Sequence, residues 1–294
     1  MKTLRDIGED ALIARLLTPF PPSTLCVGPG DDCAVVDDGH GPWRLLKTDA
    51  IVEGIHFLRE APPEKVGWKA CARVISDFAA MGGSAREIMI TLACPPDLEI
   101  HWVEGLYQGI ARCLAAHEAT LAGGETTSVP DGGPIMISVA GTGQVDRRHC
   151  VLRSGGQPGD VIAVTGTLGG SIHGKHLDFQ PRCAEGALLA QAGASAMMDL
   201  SDGIAKDLPR LAQASHCQFE WIPEALPVTP GCTPDQALGD GEDYELLFAI
   251  SPARWHALVL KWPEELAPIH AVGRLLEGPF CESAIQGGWE HFRT

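Results

Sequence analysis

Between residues 62 and 83 apolar side chains recur at every fourth position, at Val66, Ala70, Val74 and Phe78. That spacing predicts one buried stripe of a helix. Pro62 and Pro63 suit its entry, where a missing N–H costs nothing, and Gly82 and Gly83 supply a left-handed stop. Ile100, Val103, Leu106, Ile110 and Leu114 mark a second amphipathic helix. Alternation and short apolar runs predict strands over residues 44–49, 87–93, 119–125, 134–141 and 143–145. Residues 4–17 read as a short helix closed by Pro19, Pro21 and Pro22. Strands are expected again over 161–165, 196–200, 217–222, 244–250 and 269–275, and helices over 181–191 and 251–262. A further helix after Ser201-Asp202-Gly203 meets Pro209, so it either begins near Asp207 or kinks at the proline. Strands with interleaved helices in both halves predict an α+β protein of two domains, 1–150 and 151–294, joined at the turn-rich stretch 153–160.

The length of 294 residues agrees with two domains, and 45% hydrophobic residues suffice for two substantial cores. Lys and Arg total 22 against 38 Asp and Glu, a formal net charge of −16. This argues against a nucleic-acid or anionic-membrane binder, which needs a basic face. A small phosphorylated substrate stays open, because metal ions can supply positive charge locally. Ten cysteines without a C-x-x-C pair exclude the usual structural zinc sites and suit a reducing cytoplasm. The N-terminal stretch reads as neither a signal peptide nor a membrane span.

Carboxylates change the picture. Five acidic clusters stand beside glycine at turns or predicted strand ends: Asp31-Asp32, Asp49, Glu125, Asp199 with Asp202, and Glu242-Asp243. Asp77, inside the first apolar helix, makes a sixth site. A buried carboxylate there needs a partner. It is either a helical ion pair with Arg73, four residues earlier, or a ligand for a hard cation. Singly, each loop carboxylate is an ordinary turn residue. Jointly they suit Mg²⁺ shared with nucleotide phosphates. Gly169-Gly-Ser-Ile-His-Gly174-Lys175 matches seven positions of a phosphate-binding loop. His176 stands where a Ser or Thr should hold the metal, so a plain glycine-rich turn competes with that reading. His56 and Trp289 are either packed ring residues or contacts for a phosphate and a flat heteroaromatic ligand.

Taken in order, Gly28-Pro-Gly-Asp-Asp-Cys-Ala34, Thr48-Asp-Ala-Ile-Val-Glu-Gly-Ile-His-Phe57, Ser76-Asp-Phe-Ala-Ala-Met-Gly82, Gly123-Gly-Glu-Thr-Thr127, Arg153-Ser-Gly-Gly-Gln-Pro-Gly-Asp160, Asp199-Leu-Ser-Asp-Gly203, Gly241-Glu-Asp-Tyr-Glu-Leu246 and Trp289-Glu-His-Phe292 resemble the thiamine-monophosphate kinase family. That family belongs to a superfamily with aminoimidazole ribonucleotide synthetase and selenophosphate synthetase. The resemblance implies a two-domain PurM-like architecture, with an N-terminal mixed-sheet dimerising domain and a C-terminal α/β domain. It further implies ATP- and Mg²⁺-dependent phosphorylation of thiamine monophosphate to the diphosphate by a cytoplasmic homodimer. Carried over by position, Asp32, Asp49, Asp77, Glu125, Asp199 and Asp202 would ligate Mg²⁺, with Asp77 and Asp202 catalytic. Thr48, Arg153 and Ser201 would contact ATP, and His56, Glu242 and Trp289 would hold thiamine monophosphate. The sequence departs from the family at Glu125, where Asp is usual, at Val74, and in a shortened stretch 170–182. Those departures keep two alternatives in view: another ATP-dependent enzyme of the superfamily with a different small substrate, and a non-catalytic nucleotide binder.

Overall fold

A computed structural model of the chain describes residues 2–278, 280, 285 and 287–292; the tenth cysteine, Cys281, lies outside the described residues. The first half runs α1 (Leu4–Leu17), β1 (Ala34–Val36), β2 (Trp43–Val52), α2 (Pro63–Ala80), β3 (Ser84–Cys94), α3 (Ile100–Ala116), β4 (Thr120–Ser128) and β5 (Met136–Val145). The second runs β6 (Val161–Thr165), α4 (Lys175–Asp178), α5 (Cys183–Ala192), β7 (Ala196–Asp199), α6 (Ile204–Ala214), β8 (Gln218–Trp221), α7 (Pro234–Gly239), β9 (Leu246–Ile250), α8 (Pro252–Val259) and β10 (Ile269–Leu276).

Strands of the first half form one mixed sheet in the order β1-β2-β5-β3-β4, with β3 and β4 parallel and the other neighbours antiparallel. One face carries Ile88, Ile90 and Leu92, which pack with Phe78, Leu106 and Ile110 of α2 and α3 into the first core. The two helices meet backbone to backbone. A Cβ added at Gly67 would lie 2.0 Å from the Leu106 carbonyl oxygen, and one at Gly109 would lie 1.9 Å from that of Glu64. Among the described residues no helix packs over the opposite face. Register puts Thr48, Ala140 and Met89 in one row across it, and Ala50, Ser138, Thr91 and Glu125 in the next.

The second sheet, β7-β9-β6-β10-β8, is antiparallel throughout. Its two faces are covered separately. Ile204, Leu208 and Leu211 of α6 seal one face, and Leu189 of α5 and Leu258 of α8 seal the other. Helix α6 begins at Ile204, not near Asp207, and continues through Pro209. The nine described cysteines are free. Among the described residues no helix is long and apolar enough to cross a membrane.

Candidate active site

Helix α2 joins the halves. Its stripe Lys69, Arg73 and Asp77, spaced by four, runs beside the apolar row; Lys69 is buried, while Arg73 and Asp77 line a cleft of about 1370 Å³ between the sheets. At the floor, one oxygen from each of Asp32, Asp77 and Asp199 lies within 4.8 Å of the others, and all three residues are buried. Asp32 comes from the turn before β1, Asp77 from the last turn of α2, and Asp199 from the end of β7. Ser76 donates its hydroxyl to Asp199 at 2.7 Å, tying α2 to the second sheet.

Three carboxylates so close need positive charge. Lys47 Nζ donates to Asp77 Oδ1 at 2.7 Å, and Arg153 Nε donates to Asp32 Oδ1 at 3.0 Å. Burial would lower the Lys47 ammonium, but Asp77, Asp49 and Asp32 outweigh that and hold it above its ordinary value. Burial, opposed by Lys47 but reinforced by Asp199 and Asp32, pushes the Asp77 carboxyl well up. Burial and then Asp32 push Asp199 up to about 6. The second oxygen of Asp32 is buried without a hydrogen-bond partner among the described residues. Hard oxygen donors, mutual repulsion and an orphaned buried oxygen fit a small divalent cation.

The helical ion pair expected between Arg73 and Asp77 is not formed. Arg73 instead pairs with Asp49 at 3.0 Å and donates to the Ala50 carbonyl. Asp202 stands apart from the trio, held by Arg210 at 2.7 Å and Lys206 at 2.9 Å. Burial would raise its carboxyl, but these two cations outweigh it and keep it below the ordinary value. Ser201 lines the cleft, and its carbonyl accepts from the Glu242 N–H at 2.7 Å.

The other end of the cleft is built from His56, Glu242, His176 and the C-terminal segment. Trp289 is 40% exposed; its N–H donates to the Asp202 carbonyl and its own carbonyl accepts from Lys206, both at 2.8 Å. His291 reaches within 5.8 Å of the His56 ring. Glu242 and Tyr244 adopt φ of 52° and 51°, a left-handed backbone uncommon outside glycine, in the loop that presents the Glu242 carboxylate.

Two expected residues are not brought to the cleft of the single chain. Thr48 is exposed because strand alternation turns it opposite to Lys47 and Asp49. Glu125 sits on edge strand β4, all nine residues of which are exposed. Both project from the open face of the first sheet. The phosphate-loop-like segment is satisfied internally. The N–H groups of Gly169 and Gly170 donate to Asp243 and Asp240, and Lys175 pairs with Asp243. It is the glycine-rich turn. Sequence reasoning missed Lys47, Lys69, His176 and Tyr244.

Residues 30–145 match the family described as AIR synthase related protein, N-terminal domain. A thiamine-monophosphate kinase of Synechococcus elongatus is 31% identical over 100% of this chain and 99% of its own length. One from Aquifex aeolicus is 33% identical over 98% of this chain and 99% of its own. Among solved structures, AaThiL complexed with AMPPCP and TMP superposes with a TM-score of 0.87, at 31% identity and with 99% of each chain covered. Similarity of that extent, running from end to end on the same fold, means that this chain belongs to the thiamine-monophosphate kinase family.

Proposed function

We propose that the chain is a thiamine-monophosphate kinase, transferring the γ-phosphoryl group of ATP directly to the phosphate of thiamine monophosphate. The observation that carries this reading is the convergence of Asp32, Asp77 and Asp199 at the floor of a cleft whose far end holds His56, Glu242 and Trp289. The acceptor is itself a phosphate oxygen, so no strong general base is needed; alignment and neutralisation of charge suffice. One acceptor P–O bond forms as the β–γ bridge bond breaks, and ADP leaves with the electron pair.

Asp32, Asp77 and Asp199 would hold Mg²⁺, with Asp49 and Asp202 available once their arginine and lysine partners yield. Bound there, Mg²⁺ would neutralise triphosphate charge. Arg153 and Ser201 suit contacts to the nucleotide, and Lys47 brings a part-buried ammonium to the same floor. Trp289 offers a half-exposed ring face for stacking. Chain 1–150 would supply most of the metal floor and 151–294 the opposite wall. The open face of the first sheet, with Met89 49% and Met136 37% exposed, supports a homodimer through that face. Thr48 and Glu125 would then lie where the two chains meet, and a role for either in nucleotide or metal binding would be exercised there. The free cysteines and acidic charge suit a cytoplasmic enzyme with no nucleic-acid partner.

The test is direct. With Mg²⁺, ATP and thiamine monophosphate the purified protein yields ADP and thiamine diphosphate in equal amounts, and chelation stops both. Folded protein that makes neither at saturating substrates overturns the reading. Sedimentation at twice the chain mass supports the homodimer; a monomer at assay concentration removes it.

A further inference from the structure

Lys69 is fully buried on α2, and every proton of its ammonium is committed. Nζ donates to the His56 carbonyl oxygen at 2.6 Å and to the Glu242 carboxylate at 2.8 and 2.9 Å, and it lies 2.6 Å from His176 Nδ1. An ammonium has donors only. His176 Nδ1 must therefore accept, and the ring's single proton is forced onto Nε2. His56 is fixed the same way by a different donor: its Nδ1 accepts from the Val52 N–H at 3.1 Å. Burial, then nearby Lys69 for His176 and Arg73 for His56, push both rings down to about 4, so both are neutral. Both rings line the cleft, and it is the accepting Nδ1 of His176, on the Lys69 side of the ring, that lies 3.5 Å from the Glu242 carboxylate.

With Nδ1 committed to Lys69, His176 offers a neutral Nε2–H, and Glu242 offers a carboxylate acceptor in the lining of the same cleft. A phosphate dianion would be repelled by Glu242 at this end. An aminopyrimidine edge is complementary, because its exocyclic amine donates and its adjacent ring nitrogen accepts.

We propose that His176 is a specificity-determining residue that donates its Nε2–H to a ring nitrogen of the acceptor's aminopyrimidine while Glu242 accepts from the exocyclic amine, and that Lys69 is the positioning residue that sets both. This rests on the reading of the chain as a thiamine-monophosphate kinase.

The experiment compares wild type with His176→Phe, which removes the donor, and His176→Gln, which keeps an amide N–H near Nε2. Steady-state kinetics are run with thiamine monophosphate and with oxythiamine monophosphate, whose carbonyl and ring N–H reverse the donor–acceptor pattern. The Phe variant should raise the acceptor KM about tenfold or more, with the ATP KM and kcat within about threefold, and Gln should recover most of the loss. Wild-type preference for the amine over the oxo analogue should shrink in the Phe variant. An acceptor KM within about twofold of wild type in the Phe variant overturns the contact, as does a loss that falls equally on ATP and is not rescued by Gln. Independently of turnover, ¹⁵N spectra of the histidine rings at pH 7 should give His176 as one Nε2–H tautomer in wild type and a mixture in Lys69→Met. A mixture in wild type overturns the clamp. Wild type that fails to turn over thiamine monophosphate at all sinks the functional reading instead, and the tautomer measurement tells the two failures apart.

Discussion

Replacing Asp77 with asparagine separates a metal-site carboxylate from a structural one. If Asp77 were held for folding, losing its charge would cost the pair it makes with Lys47. At 2.7 Å and an effective dielectric near 20, that attraction is about 6 kcal/mol. The same charge is repelled by Asp32 and Asp199, whose nearest oxygens lie within 4.8 Å. Each repulsion is at least about 3.5 kcal/mol within that distance, about 7 kcal/mol or more together. Repulsion thus at least offsets the attraction, so losing the charge costs little, and asparagine keeps the shape of the side chain. Without cations, Asp77→Asn should therefore melt within about 3 °C of wild type. With Mg²⁺ and ATP the balance changes, because the carboxylates' repulsion is what the ion relieves. Turnover should fall by about a hundredfold or more, the range seen when one electrostatic contact to developing charge is removed. Melting curves with and without Mg²⁺ and an ATP analogue, together with ADP release, measure both sides. The wild-type gain in melting temperature on adding ligands should shrink in the variant. Turnover within about tenfold of wild type, or a drop of more than about 10 °C without ligands, would refute the reasoning.

Other outcomes follow from single positions. Gly109→Ala would set a Cβ 1.9 Å from the Glu64 carbonyl oxygen, so α2 and α3 must part; a loss of about 1–3 kcal/mol is expected by denaturant unfolding, and an unchanged midpoint contradicts the packing. Asp243 is 2% exposed and burial pushes its carboxyl up to about 6. A raised acid stabilises below its unfolded value near 3.8 and loses that contribution as pH rises through about 6. Asp243→Asn should therefore flatten the fall in stability between pH 4 and 7 by up to about 3 kcal/mol, and an unaltered slope removes the assignment. Met89→Glu, on the open sheet face, should shift sedimentation toward monomer while leaving the chain folded; a dimer of unchanged strength places the interface elsewhere.

Much of the fold was legible because its signals are local. The period-four stripe and proline entry of α2 mark Pro63–Ala80, and the apolar run 161–165 is β6. Helix α7 escaped notice, although Thr233 and Gln236 form a capping box around Pro234. Proline inside α6 misled in the other direction, since packing of Leu208 and Leu211 carries the helix through Pro209. At the site, acidic residues beside glycines were visible, but their partners were not. Lys47 could have been found by alternation, two residues before Asp49 on one strand face. Lys69 could have been found by its spacing of four from Arg73 and eight from Asp77. His176 had no such signal: its meaning depends on Lys69, 107 residues away in sequence. Thr48 and Glu125 lie outside the cleft of the single chain. The backbone register turns both to the open face of the first sheet.

The most direct measurement is a crystal of the protein grown with AMPPCP and Mn²⁺, with anomalous scattering used to find the ions. The account predicts at least one anomalous peak coordinated by oxygens of Asp32, Asp77 and Asp199, with the nucleotide's terminal phosphate beside it. Ions bound elsewhere in the chain, with those three carboxylates still held only by Lys47, Arg153 and Ser76, would contradict it.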